Sequence, residues 1–168
     1  GAMVEGAAMP ALWHWLAFQP AVPMDTLGRD GHPRLGGFLP PVPLERRMWA
    51  GGRLSFRRPL HIGERLTRRS EILKVSEKTG STGRMVFVTV AHALHGAAGL
   101  AIEEEQDIVY IAMPDEYRPP RAVPAPESPA FDIPVPVDTP RLFRYSAATF
   151  NAHRIHYDRA YAMEVEKY

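Results

Sequence analysis

Between Ser146 and Ala162 the chain reads SAATFNAHRIHYDRAYA, which gathers Asn151, His153, His156 and Asp158 in one polar stretch. Histidine exchanges protons near neutral pH more readily than any other side chain. In a loop that opens a helix, it can be joined by backbone N–H groups that hold a carbonyl or an anion. Such a set could move a proton beside a polarised carbonyl. The residues alone leave a second reading open, a polar helix cap in which His153 and His156 are merely hydrogen-bonded. Arg46 and Arg47 could meet a phosphate or a carboxylate, because guanidinium pairs well with both; a solvated basic pair is the alternative. Trp13, Trp15 and Trp49 suit either an acyl tunnel or plain core. His92 and His95 alternate on a strand without a third ligand, so no metal centre is expected. The run Glu103, Glu104, Glu105 reads as a solvated edge.

These residues need elements to place them. Met9 to Phe18 has the spacing of a short helix, with Leu12, Trp15 and Leu16 on one face and Pro20 as its stop. From there to about Pro43, glycine and proline mark a loop able to approach a ligand or lie under a sheet. Strands are expected over Arg53–Arg58, Glu64–Val75, Met85–His95 and Leu100–Ile111; in the third, Val86, Val88, Val90 and Leu94 fall on one face at period two. The turn-type sequences from Lys78 to Gly83 and from Gly96 to Gly99 imply an antiparallel meander, since parallel pairing needs long crossovers. Residues 118–140 hold eight prolines in 23 residues. That density excludes a regular helix or strand and predicts an extended connector, able to reach roughly 70 Å. Beyond it, Arg141 to Ala147 reads as a strand. Asp158 to Tyr168 reads as a helix capped by Asp158, with Tyr161, Val165 and Tyr168 on one face. This final piece cannot bury a core alone, so it should pack on residues 8–117, on a second copy or on further strands.

Composition narrows the classes. Hydrophobic residues make up 45% of 168, enough for a packed core, and a net charge of +1 points to neither nucleic acid nor membrane. No apolar run approaches the roughly 20 residues of a membrane span. The absence of cysteine excludes disulfides and cysteine-held metals and fits a cytoplasmic protein. The opening residues, Gly1 to Val4, look like the remnant of a protease site.

The stretch TFNAHRIHYDRAYA resembles the hydratase motif of the MaoC-like hotdog enzymes, above all their two-hotdog branch. That branch includes type 2 3-hydroxyacyl-thioester dehydratases and the mesaconyl- and itaconyl-CoA hydratases. GGFLPP from Gly36, RRMWAGGR from Arg46 and EEQDIVY from Glu104 are similar to the same branch. The resemblance implies an α+β double hotdog, a curved antiparallel sheet around a central helix. Residues 1–117 would be a degenerate first hotdog, 118–140 the linker, and 141–168 the start of the catalytic second one. It implies catalysis by His156 and Asn151; Arg46, Arg47, Trp49 and Arg154 are the candidate substrate-binding residues beside them. Asn151 stands where the family usually has an aspartate, and an amide cannot act as a base, so His156 would carry most of the proton transfer. Arg159 replaces the usual proline. The implied reaction is hydration or dehydration of an enoyl or 3-hydroxyacyl thioester, with a backbone N–H at the helix start polarising the carbonyl. No cofactor is implied beyond the coenzyme A or carrier protein of the substrate. A short branched dicarboxylyl-CoA such as mesaconyl- or itaconyl-CoA is the first expectation, and a fatty 3-hydroxyacyl thioester the second. A homodimer, a partner or further sequence would complete the second hotdog. The rival is a non-catalytic thioester-binding or scaffolding subunit completed by a partner chain.

Overall fold

The computed structural model describes residues 3–80, 83–117, 119 and 122–168. Gly1, Ala2, Ser81, Thr82, Arg118, Pro120 and Arg121 lie outside that range, and with them part of the expected turn Lys78 to Gly83 and of the expected connector 118–140. Four strands dominate: β1 Arg46–Phe56, β2 Thr67–Gly80, β3 Gly83–Gly96 and β4 Gly99–Ile111. They form one antiparallel sheet in the order β1-β4-β3-β2, so β2, β3 and β4 are a meander and β1 closes on β4. This is the α+β class expected, and these four strands lie near their expected positions. β1 begins at Arg46 rather than Arg53, because the glycines at its centre do not end it; the register shifts between Trp49 and Gly51 and pairing resumes.

The alternation of β3 works as its sequence implies. Val86, Val88, Val90 and Leu94 are buried, and Ile102, Ile108 and Tyr110 of β4 join them. Leu35, Leu39, Val42 and Leu44 pack on one half of this face, and Met9, Phe18 and Leu66 on the other. The glycine- and proline-rich segment thus lies on the sheet as irregular chain, since its prolines deny it a helical hydrogen-bond ladder.

Three expectations need correction. The helix over Met9–Phe18 shrinks to a single 3-10 turn, Trp13–Leu16, because Leu12 and Phe18 take positive φ of 70° and 57° at its two ends. Arg141–Ala147 is not a strand. It belongs to helix α1, Thr139–Ala148, whose start is set by Asp138: its carboxylate accepts the Arg141 N–H at 2.8 Å, and a proline occupies the first turn. Glu104 is not solvated. It shares the inward face of β4 with Ile102 and Ile108, while Glu103 and Glu105 bond to Arg57 and Arg53 outside.

The capped helix after the polar loop is present but shorter, α2 Arg159–Glu164. Asp158 caps it, accepting the Tyr161 N–H at 3.0 Å. The C-terminal piece is not free-standing. It docks on the N-terminal segment and β1, through Arg154 N–H to the Asp30 carbonyl (2.9 Å) and an ion pair between Arg46 and Glu166 (3.0 Å). Among the described residues no helix is long and apolar enough to cross a membrane.

Candidate active site

The polar loop Phe150–Asp158 joins α1 to α2. Phe150 takes a positive φ of 54°, which turns the chain out of α1. Asn151 then fixes the bend: its N–H bonds to the Ser146 carbonyl at 2.8 Å, and its side-chain oxygen accepts the His153 N–H at 3.1 Å. Arg154–His156 forms a 3-10 turn, with His156 N–H on the His153 carbonyl. Arg154 clamps the far side. Its guanidinium holds Asp158 at 2.6 Å, reaches the Arg29 carbonyl at 3.1 Å and stacks over Tyr161.

Three imidazoles meet in this loop. His153 is 6% exposed, and its ring contacts His156 edge-on at 5.5 Å and His32 at 4.3 Å between centroids. His32 comes from the N-terminal segment. Its Nδ1 lies 2.8 Å from Oδ2 of Asp30, whose Oδ1 accepts the His32 backbone N–H. Gly31 between them has a φ of +87°, and a Cβ there would stand 2.0 Å from the Ala152 carbonyl oxygen. The close approach of two backbones therefore requires glycine. Asp30, His32 and His153 bring oxygen and nitrogen atoms within 4.8 Å of one another. The Asp30–His32 bond and the ring packing account for that grouping without an ion.

Electrostatics follow from burial. Burial pushes His156 below its ordinary value of 6.5, and His153 adds to this, so His156 is neutral at pH 7. His32 is lowered too, by burial first; the Asp30 bond opposes that, while Arg47 and His153 reinforce it. For Asp30, burial acts upward, but the His32 bonds and Arg47 outweigh it and the carboxyl lies below its usual range. Glu166 is 1% exposed and sits 3.0 Å from Arg46 Nε, 3.3 Å from the Tyr161 hydroxyl and 3.9 Å from His153 Nε2. The Arg46 pair is a charge contact without hydrogen-bond alignment, and among the described residues His153 Nε2 makes no hydrogen bond.

The residues singled out from sequence are not all brought together. His156 joins the imidazole cluster. Asn151 and Trp49 line one cavity of about 340 Å³ with Trp15, Arg68 and Gln106, and His156 is absent from the described residues lining it. Arg47 lines another cavity of about 350 Å³, beside Asp30, Tyr110 and Tyr161. Arg46 faces Glu166 and Tyr168, and Arg154 holds the loop together. The N–H groups expected at the start of α2 are engaged: Asp158 accepts from Tyr161 and Ala160. Sequence reasoning missed Asp30 and His32, for which the only signal was a DGH string in a glycine-rich loop. It also missed His14, which is buried on Glu104 at 3.2 Å with Trp15 alongside at 3.1 Å.

Residues 12–168 match the family described as hydroxyacyl-thioester dehydratase type 2. A curated relative named mesaconyl-C(4)-CoA hydratase, from Chloroflexus aurantiacus, is 46% identical over 100% of this chain and 60% of its own length. A second, the mitochondrial hydroxyacyl-thioester dehydratase type 2 of Schizosaccharomyces pombe, is 30% identical over 93% of this chain and 59% of its own. The chain thus spans about 60% of the length of the curated relatives it matches. Among solved structures, a MaoC-like dehydratase is 16% identical, covering 70% of this chain and 47% of that one, with a TM-score of 0.48.

Proposed function

The chain belongs to the hydroxyacyl-thioester dehydratase type 2 family, and from that premise we propose that it carries the acid–base loop of an enoyl-thioester hydratase, a hydro-lyase acting on a short branched dicarboxylyl-CoA. The observation that carries this reading is the imidazole cluster, in which burial keeps His156 neutral and therefore basic. In hydration, His156 accepts a proton from water as the water oxygen bonds to the β-carbon. The same imidazolium then delivers that proton to the α-carbon, so one water is added. Positioned acid–base catalysis of this kind contributes about 10² to 10⁴-fold. Asn151 orients rather than ionises, because its amide donates and accepts hydrogen bonds but neither gains nor loses a charge near neutral pH. The dicarboxylyl substrate, mesaconyl- or itaconyl-CoA in type, is supported by the 46% identity to the Chloroflexus aurantiacus hydratase. Coenzyme A enters only as part of the substrate, and a second copy, a partner or further chain would complete the acyl pocket.

One observation favours the rival reading of a thioester-binding or scaffolding subunit: the cavity that Asn151 lines with Trp49 does not include His156 among its lining residues. The deciding experiment offers the whole protein a panel of dicarboxylyl, branched and fatty enoyl-CoAs. The expected result is a mass gain of one water on mesaconyl- or itaconyl-CoA, abolished in His156→Gln. Binding of the thioesters without conversion of any of them would establish the scaffolding role instead.

A further inference from the structure

The loop that carries His156 is not held by its own helices alone. A turn from the opposite end of the chain reaches it. Gly28 N–H bonds to the His32 carbonyl at 2.7 Å, which closes the Gly28–His32 turn. That turn touches the loop at three points. The Asp30 carbonyl accepts Arg154 N–H, the Arg29 carbonyl accepts from the Arg154 guanidinium, and Gly31 lies against Ala152. Its one aromatic side chain, His32, packs on His153, and His153 packs on His156. Asn151 supports the same residue from below, through the His153 N–H.

We infer that Asp30 and His32 are positioning residues of the active site, acting on His156 through the ring of His153. Asp30 fixes the tautomer of His32 by accepting its Nδ1–H, as a carboxylate orients a catalytic imidazole. His32 so fixed gives His153 a flat, immobile neighbour. Among the described residues His153 Nε2 makes no hydrogen bond and only faces Glu166 at 3.9 Å, so ring packing is the closer constraint on its ring. His153 in turn sets the ring plane of His156. The groups facing this line are Arg47 and Asp30 at His32, and Glu166 at His153. This inference rests on the hydratase reading for its kinetic test, but not for its structural one.

The kinetic test is a double-mutant cycle in the whole protein. His32→Ala should lower kcat by about 30-fold or more while KM stays within about threefold, since a misplaced base weakens the chemical step rather than binding. His32→Phe keeps a flat ring and should recover part of that loss. In a His156→Gln background, His32→Ala should cost less than about threefold more, because it acts through the missing group. A full additive loss in that background, or no loss in the single variant, overturns the inference. If the unmodified protein hydrates nothing, the hydratase reading fails, and the structural test still decides this one. Imidazole ring signals of His156 measured by NMR at pH 7.5 should shift in His32→Ala and in Asp30→Ala, and less in Asp30→Asn, which keeps an acceptor. Unchanged His156 signals in folded variants, checked by thermal midpoint, overturn the inference whatever the activity.

Discussion

At the scale of single residues, His156 and Asn151 differ in what they can do. His156 is held neutral by burial and by His153. Its replacement by glutamine should reduce turnover by about 10²-fold or more. The acid limb of kcat/KM should fall below the ordinary imidazole value of 6.5; a limb above that value would remove His156 from the role of base. Asn151 contributes an acceptor for the His153 N–H. Aspartate can accept the same bond and alanine cannot. Asn151→Asp should therefore keep most activity and add an acidic limb, while Asn151→Ala should lose about tenfold or more. The depressed histidines also make a stability prediction. His32 and His156 both lie below 6.5 when folded, so the unfolded chain binds their protons first. Their contribution is fully present above that pH and declines as pH falls below it. Thermal midpoints measured from pH 7.5 down to about pH 5 should show this loss, and His32→Phe should reduce its size.

At the scale of elements, the turn Gly28–His32 and the loop Phe150–Asp158 behave as one unit. Gly31 is the contact that admits no side chain, with its positive φ and the Ala152 oxygen at the position of a Cβ. Gly31→Ala should cost about 2 kcal/mol or more, combining left-handed strain with the clash. It should also reduce activity, because the loop must shift to accept it. A stable and fully active Gly31→Ala would mean that the two backbones are not so closely apposed. Helix α1 rests on a different device, the Asp138 carboxylate over its first turn. Asp138→Ala should cost about 1 kcal/mol, seen as faster amide exchange in Thr139–Ala148 with the sheet unaffected.

At the scale of the molecule, the C-terminal piece is tied to the sheet by buried charge. Glu166 is 1% exposed against Arg46 at the start of β1. Arg46→Ala leaves that carboxylate buried without its cation and should cost about 3 kcal/mol or more. Arg46→Met with Glu166→Met should cost less, since no unpaired charge remains. Hydrogen exchange across α2 measures both. Equal protection in Arg46→Ala and the unmodified protein would show that the piece is held elsewhere. The burial of Tyr161 belongs to the same tie: burial and the neighbouring Glu166 push its phenol up to about 12, so it stays protonated as the donor that Glu166 needs.

The sheet and the polar motif follow from local sequence pattern. Period-two valines in β3 and glycine turns at its ends act locally, so the strands and their meander order were legible. The cap at Asp158 was legible for the same reason, a side chain bonding to a backbone three residues away. Over Arg141–Ala147 a short apolar run suits either period, and the equally local cap at Asp138 is what makes it the helix α1 rather than a strand. Other features were decided by tertiary structure. Glu104 became buried because β4 turns it toward His14 and Trp15, residues about 90 positions away in sequence. Asp30 and His32 joined the site because folding brings the Gly28–His32 turn against a loop more than 100 residues later. Such contacts leave no spacing to read. They arise where two segments bury each other, and only the packed chain shows which polar groups meet there.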